Sequence, residues 1–343
     1  MGKNVTFSDI AKYTNFSKTT ISRYFNNPDS LSDETKQKVR DALDALNYHE
    51  NKVAKILARG KTEFIGVIAP NFFFPYYTSV LNSILDTYRD YGYKFIVFLE
   101  NDNSEEERKY ISELLSYNIE GLIVLSHTLP SHELQQLGIP AVAIEREDEF
   151  ISSVNTNNFK GAVLAVEKLI ADGCEFLIHI NSHNPEDKKM PAYARIYGFE
   201  ETCKKHGIPN KEFFVSLSNN HEDYFKKVSE IYSEAKEICC GKKAGIFCSN
   251  DIIAVDFLNA AFLDGRKIPE EFEIIGFDDS PQARQAIIPL TSVRQNTVEI
   301  AKSAMELLVK QMDKGKRSKP KSVVTTLEHI VIEPQLAERQ TTF

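Results

Sequence analysis

No run of eighteen apolar residues occurs anywhere in the 343 residues, so no membrane-spanning helix is expected. The first residues hold no apolar core of a signal peptide, which points to a cytoplasmic protein. The five cysteines, Cys174, Cys203, Cys239, Cys240 and Cys248, are scattered and lack metal-ligand spacing. Reduced, mostly buried thiols are expected, not a disulfide framework or a zinc site. No GxGxxG stretch and no GxxxxGKS or GxxxxGKT stretch is present, which removes the common phosphate-cradling loops. His179 and His183 are four apart, but they span a strand end and a loop and so do not share a helix face as zinc ligands do. Asp278 and Asp279 are adjacent carboxylates with no nucleophile motif nearby. No catalytic residue, metal or cofactor follows from these patterns, and an enzyme is not expected. The last segment, IEPQLAERQTTF, carries no leucine heptad, so no coiled-coil tail is expected.

Charge is divided unevenly along the chain. Residues 1–61 carry 11 Lys and Arg against 7 Asp and Glu, a net of +4, while the remainder carries 30 against 42, a net of −12. A basic head on an acidic body suits attraction to phosphates by the head alone. The length suggests two to three domains, and 42% hydrophobic residues support sizeable cores. The acidic run Glu105–Glu107 reads as a solvated first helical turn favoured by the helix dipole.

Within the head, apolar residues fall at Ile10, Ala11, Phe16, Ile21 and Phe25, which fits two short helices burying one face each. Ser8 and Ser17 are placed to cap them, and Asn15 sits where a tight turn needs positive φ. The second helix exposes Lys18, Thr19, Ser22 and Arg23, whose donors and acceptors reach base edges and phosphates in a major groove. Thr6, Ser17, Thr20 and Asn26 complete the expected contact set. Periodicity alone also allows a generic helical pair.

The stretches SKTTISRYFNN, LSDETKQKVRDALDALNYHEN and NKVAKILARG resemble the recognition helix, third helix and hinge helix of the LacI/GalR family of bacterial transcription regulators. The resemblance implies a hinge in which Asn51, Val53, Ala54 and Leu57 contact DNA, with Ala54 and Leu57 entering the minor groove at the operator centre. A proline usually precedes the hinge Asn; here Glu50 stands there, which removes one source of pre-ordering. So short a helix as Asn51–Ala58 is marginal alone in water, and it is expected to become helical on operator DNA.

From Thr62 onward, short runs rich in Val, Ile and Phe alternate with helical segments. Strands are expected at Phe64–Ile68, Lys94–Leu99, Gly121–Leu125, Ala141–Ile144, Phe176–Ile180, Phe213–Leu217, Ala244–Cys248 and Phe272–Gly276. Helices are expected at Tyr76–Tyr91, Ser104–Tyr117, Phe159–Asp172, Ala192–His206, Asp223–Cys239 and Asp251–Asp264. The alternation predicts parallel α/β sheets with right-handed crossovers, split into two subdomains. The resemblance implies a type I periplasmic-binding-protein-like effector domain with a ligand cleft between the halves. The expected organisation is a helix-turn-helix domain over 1–50, a hinge over 51–61, and an effector and dimerisation domain over 62–343. Its N-subdomain takes about 62–158 and 293–322, its C-subdomain about 159–292 and 323–343, with crossings near Phe159, Ser292 and Val323.

Parallel sheets place ligands at the carboxyl ends of their strands. The residues following the expected strands include Phe72, Phe74 and Tyr76, an aromatic cluster able to stack on a sugar or simply to plug a core, then Glu145 and Asn250. The resemblance adds Arg195 and Asp278 as effector ligands; the alternative for Asp278 is a turn or cap residue. A carboxylate accepting from adjacent hydroxyls, beside an arginine fork, suits a polyol. The expected protein is a transcription regulator, most often a repressor. It would act as a homodimer on a pseudo-palindromic double-stranded operator, controlled by a small-molecule effector such as a sugar, with no membrane partner. The alternatives are a global catabolite-type regulator answering to a phosphorylated protein and a sugar-binding protein without a regulatory role.

Overall fold

The computed structural model describes residues 5–49, 61–70, 74–100, 103–146, 149–182, 191–215, 221–239, 241–317 and 327–343. The expected hinge, with Glu50, Asn51, Val53, Ala54 and Leu57, lies outside the described residues, as do Phe72, His183 and Cys240. The chain divides into two compact units, Met1–Lys61 and Thr62–Phe343.

In the first unit, α1 (Phe7–Thr14), α2 (Lys18–Asn26) and α3 (Asp33–Ala45) bury Ile10, Ala11, Ile21, Val39 and Ala42 together. Phe7 stacks on Phe25 at 5.1 Å between centroids. Asn15 takes φ 59, the left-handed turn that Asn tolerates. Ser17 caps α2, its hydroxyl accepting from the Thr20 amide at 3.1 Å. The expected cap at Ser8 is corrected: Ser8 lies inside α1, and Thr6 is the cap. The Thr6 amide donates to the Asp9 carboxylate at 2.9 Å and its hydroxyl to the same oxygen at 2.6 Å. An acidic side chain three residues on is what favours Thr6 over Ser8.

The second unit contains two six-stranded sheets. The first has the order β11-β5-β4-β3-β1-β2 and the second β12-β10-β9-β8-β6-β7. Here β1 is Phe64–Pro70, β2 Lys94–Glu100, β3 Gly121–Val124, β4 Ala141–Ile144, β5 Ser152–Thr156 and β6 Phe176–Asn181. The rest are β7 Asn210–Phe214, β8 Ala244–Cys248, β9 Phe272–Asp278, β10 Thr291–Arg294, β11 His329–Ile332 and β12 Gln335–Ala337. All pairings are parallel except β10 with β12. Each sheet has a separate apolar cluster on each face, so both are covered on two sides by helices, as parallel sheets require.

Several elements differ from expectation. The strand expected at Phe213–Leu217 lies earlier, at Asn210–Phe214. It is an edge strand paired only with β6 and largely exposed, so no apolar run marks it. Strands β5 and β10, and the 21-residue helix Thr297–Arg317, are not among the expected elements. Both strands are buried yet polar, reading SSVNT and TSVR. The last crossing also moves: β11 pairs with β5 in the first sheet, so the chain crosses back between Ile332 and Gln335, not near Val323. Likewise Ser292–Arg294 pair with β9, so the preceding boundary falls after Arg294. Glu107 is another correction. It is fully buried, not solvated, accepting from the Ser126 hydroxyl at 2.5 Å and the Leu129 amide at 3.1 Å. Burial pushes its carboxyl above the usual range. Cys174, Cys203, Cys239 and Cys248 are buried, and burial pushes the Cys174 and Cys203 thiols up to about 12. No described helix is long and apolar enough to cross a membrane.

His179 is a buried histidine with a defined tautomer. Its ring stacks on Phe247 at 4.7 Å and on Phe199 at 5.1 Å. Nδ1 donates to the Phe247 carbonyl at 2.9 Å, and Nε2 accepts from the Asn181 amide at 3.2 Å. Burial pushes its pKa down to about 4. As pH falls below the ordinary value near 6.5, the unfolded chain takes up a proton that the folded chain refuses. Stability is therefore complete above that value and declines toward pH 4, by on the order of 3 kcal/mol from this group. His179→Phe should flatten the decline in melting temperature between pH 7.5 and pH 5, whatever its offset at pH 7.5. A decline identical to that of the unsubstituted protein would show that another group sets it.

Candidate functional site

The head presents one candidate surface. On α2, Lys18, Thr19, Arg23 and Asn26 are exposed and Ser22 is half-buried. Lys18 and Arg23 have no acidic partner among the described residues, so both charges are available. Asn26 donates to the Ser22 carbonyl at 3.0 Å and hydroxyl at 3.2 Å, which fixes its amide one turn along. Ser17 and Thr20 share a hydroxyl–hydroxyl bond of 2.9 Å at the cap, and Thr6 is engaged with Asp9. Those three positions therefore serve the local fold as well as facing outward.

The second candidate lies between the two sheets. A cavity of about 80 Å³ is lined by Phe74, Tyr76, Tyr77 and Glu145 from the first half and by Ser182, Ala192, Arg195, Ser249, Asn250 and Asp278 from the second. The structure thus brings Phe74, Tyr76, Glu145, Arg195, Asn250 and Asp278 to one place, each at or just beyond a strand end or at the start of a helix. Three of the residues here and beside it, Glu145 (φ 55), Asp278 (φ 111) and Asp279 (φ 51), have left-handed φ, so backbone strain collects at the cavity wall.

The helix Ala194–His206 places Arg195 in its first turn, and the side chain is buried. Its guanidinium lies over the Phe277 ring, 3.6 Å from the centroid. Nε donates to Asn158 Oδ1 at 2.7 Å, and Nη1 donates to the Ser249 carbonyl. Glu145 accepts from the Thr156 amide at 2.8 Å, Asn158 Nδ2 at 3.1 Å and the Tyr76 hydroxyl at 3.3 Å. Burial, with Glu145 close by, raises the Tyr76 phenol well above its usual range, so it stays a donor. Asn250 caps the helix Asp251–Leu263, accepting from the Ile253 amide at 3.0 Å. Asp278 Oδ1 accepts from Gln295 Nε2 at 2.6 Å. Burial pushes the Asp278 carboxyl well above the usual range, against the pull of Arg195. Asp279 turns away into a cluster with Arg284 at 3.0 Å, Arg294 at 2.6 Å and Arg339. Beneath, Asp251 accepts from the Ser280 amide at 2.7 Å and the Ser292 hydroxyl at 2.6 Å, and burial pushes it up to about 6.

Sequence reasoning missed Tyr77, Ser182, Ser249, Asn158 and Gln295. Tyr77 adjoins Tyr76, and Ser249 adjoins Asn250 in the same SND stretch, so both signals were present. Asn158 and Gln295 follow β5 and β10, the two polar strands that an apolar pattern does not reveal.

The family profile of bacterial regulatory proteins, lacI family, matches residues 6–51, and a periplasmic binding protein-like domain matches residues 166–342. The chain is 32% identical to the ribose operon repressor of Halalkalibacterium halodurans over 90% of its own length and 91% of that protein. It is 28% identical to catabolite control protein A of Streptococcus mutans, covering 98% of each. Among solved structures, the lac repressor dimer bound to operator and the anti-inducer ONPF superposes with TM-score 0.82 at 21% identity, over 99% of this chain and 100% of that one. A LacI family regulator from Enterococcus faecium with bound ribose superposes with TM-score 0.66 at 22% identity, over 81% and 98%.

The support under Arg195 gives a direct test. A Cβ on Gly161 would meet the Phe277 ring at 2.7 Å, so the glycine leaves room for the ring on which Arg195 rests. Ala is the better helix former by about 1 kcal/mol, but overpacking costs about 1–3 kcal/mol. Gly161→Ala should lower the melting temperature by a few degrees, roughly 2–4 °C per kcal/mol. An unchanged or higher melting temperature would show that the ring yields freely.

Proposed function

This chain belongs to the LacI family of bacterial regulatory proteins, and we infer that it is a transcriptional repressor whose hold on operator DNA is set by a small neutral sugar bound in the cleft of its effector domain. It acts in the cytoplasm as a homodimer on a pseudo-palindromic operator, and it works by binding, without turnover. Lys18, Thr19, Ser22, Arg23 and Asn26 read the major groove of each half-site, and phosphate contacts add the salt-dependent part of the affinity.

The observation that carries the effector half is the convergence of Glu145, Arg195, Asn250 and Asp278 from both halves on one cavity. Two carboxyl groups face one guanidinium, and Arg195 already uses Nε and Nη1 on protein acceptors. That balance disfavours a phosphorylated ligand and favours hydroxyl groups donating to Asp278, beside the Tyr76 and Tyr77 rings. The names of relatives such as the ribose operon repressor support a pentose. The cavity of about 80 Å³ is well below the ~300–1,000 Å³ of pockets that hold drug-sized ligands, so the halves part to admit the sugar and close around it.

Two outcomes test this reading. Lys18→Ala and Arg23→Ala should each cost about 1–3 kcal/mol on the cognate operator and little on random DNA; equal losses on both would reduce these residues to phosphate contacts. Asp278→Asn and Arg195→Lys should keep operator binding while removing the response to sugar. A thermal-shift screen with D-ribose, other pentoses, hexoses and their phosphates identifies the ligand class, because a ligand of the native state raises the melting temperature. Stabilisation by sugar phosphates alone would overturn the neutral-sugar assignment.

A further inference from the structure

Asn158 stands between the two charged groups of the cleft and belongs to none of the expected sites. It opens the helix Asn158–Ala171, immediately after the chain crosses from the first sheet to the second at the end of β5. Its side chain is buried. Oδ1 accepts from Arg195 Nε at 2.7 Å, while Nδ2 donates to Glu145 Oε2 at 3.1 Å and to the Thr156 carbonyl at 3.1 Å. The amide orientation follows from its neighbours: a guanidinium only donates and an ionised carboxylate only accepts, so oxygen must face Arg195 and nitrogen Glu145.

We propose that Asn158 is a positioning residue of the effector site, an amide spacer that joins Arg195 to Glu145 across the two halves while keeping the two charges from pairing directly. The inference rests on the reading of this cleft as the effector site. Among the described residues, Arg195 and Glu145 make no direct ion pair, although both are buried beside the same cavity. Each instead meets a neutral group that satisfies it and holds it in place. A direct pair would be the ordinary outcome for buried opposite charges, and it would consume the donors and acceptors a sugar needs. Other side chains do the task less well. Asp accepts from Arg195 but, when ionised, repels Glu145. Ser is too short to bond both partners, and Gln adds a methylene to a filled space.

The consequence separates a spacer from a plain structural residue. Removing a plain structural amide strands two buried charges and sharply lowers stability. Removing a spacer lets Arg195 and Glu145 close on one another, so stability is largely kept while the ligand site is lost.

Four full-length proteins decide it: unsubstituted, Asn158→Ala, Glu145→Gln, and the double variant. Without ligand, Asn158→Ala should melt within about 2 °C of the parent. Glu145→Gln should lower the melting temperature more in the Asn158→Ala background than in the parent, because only there does the carboxylate carry a direct pair. By calorimetry, D-ribose affinity should fall about tenfold or more in Asn158→Ala. A drop of more than about 8 °C for Asn158→Ala alone overturns the proposal. So does an equal effect of Glu145→Gln in both backgrounds, or unchanged ribose affinity in Asn158→Ala. If neither D-ribose nor any sugar of the screen binds the parent, the effector reading fails, and the melting comparison alone still decides whether Asn158 is a spacer.

Discussion

A buried guanidinium must find an acceptor for its donors and a counter-charge within reach, and the cleft is arranged around meeting that demand for Arg195. The ring of Phe277 supports its face, the Ser249 carbonyl and Asn158 take two of its nitrogens, and the carboxyl groups of Glu145 and Asp278 line the same cavity. Phe277 and Asp278 share the end of β9, and the other groups each come from a different strand end or helix start. A single misplaced segment would leave a charge uncompensated in a low-dielectric interior, which is costly enough to make the alternative arrangements unstable.

The remainder of the second unit secures those strand ends. Asp251 binds the Ser280 amide and the Ser292 hydroxyl, which ties the turn after β9 to β10. Asp279 gathers Arg284, Arg294 and Arg339, linking that turn to the final segment of the chain. Between these anchors Asp278 is held at φ 111 with its side chain aimed at the cavity. Close packing reinforces the hold: Gly198 lets its helix approach the Phe159 carbonyl, and Gly161 makes room for Phe277. Three chain crossings join the halves.

The head follows a different logic. Its core is small and aromatic, with Phe7, Phe25 and Tyr48 packed beside Ile10, Ile21 and Val39. Capping by Thr6, Ser17 and Ser32 defines where each of the three helices starts. That rigidity leaves the outer face of the second helix to long polar side chains, and among the described residues Lys18 and Arg23 pair with no acidic side chain there.

Much of this was legible in the residues. Apolar runs marked β1, β4, β6, β8 and β9 because buried parallel strands are apolar on both faces, and the carboxyl-end rule then pointed to Glu145 and Asn250, while the family resemblance added Arg195 and Asp278. The helix-turn-helix was readable from apolar spacing and from Asn15. Burial that is polar escaped: SSVNT and TSVR carry no apolar run to mark them, and several of their hydroxyls meet partners distant in sequence, such as Thr156 with Gln295 at 2.5 Å. The same reason hid Asn158, Gln295 and the buried Glu107. The sequence alone determined the parallel α/β class, the helix-turn-helix and several residues of the cavity wall, since those depend on local periodicity and strand-end position. Only the tertiary structure decided which polar groups meet, because a hydrogen bond between residues 13 or 37 positions apart, as Asn158 makes with Glu145 and Arg195, leaves no periodic trace.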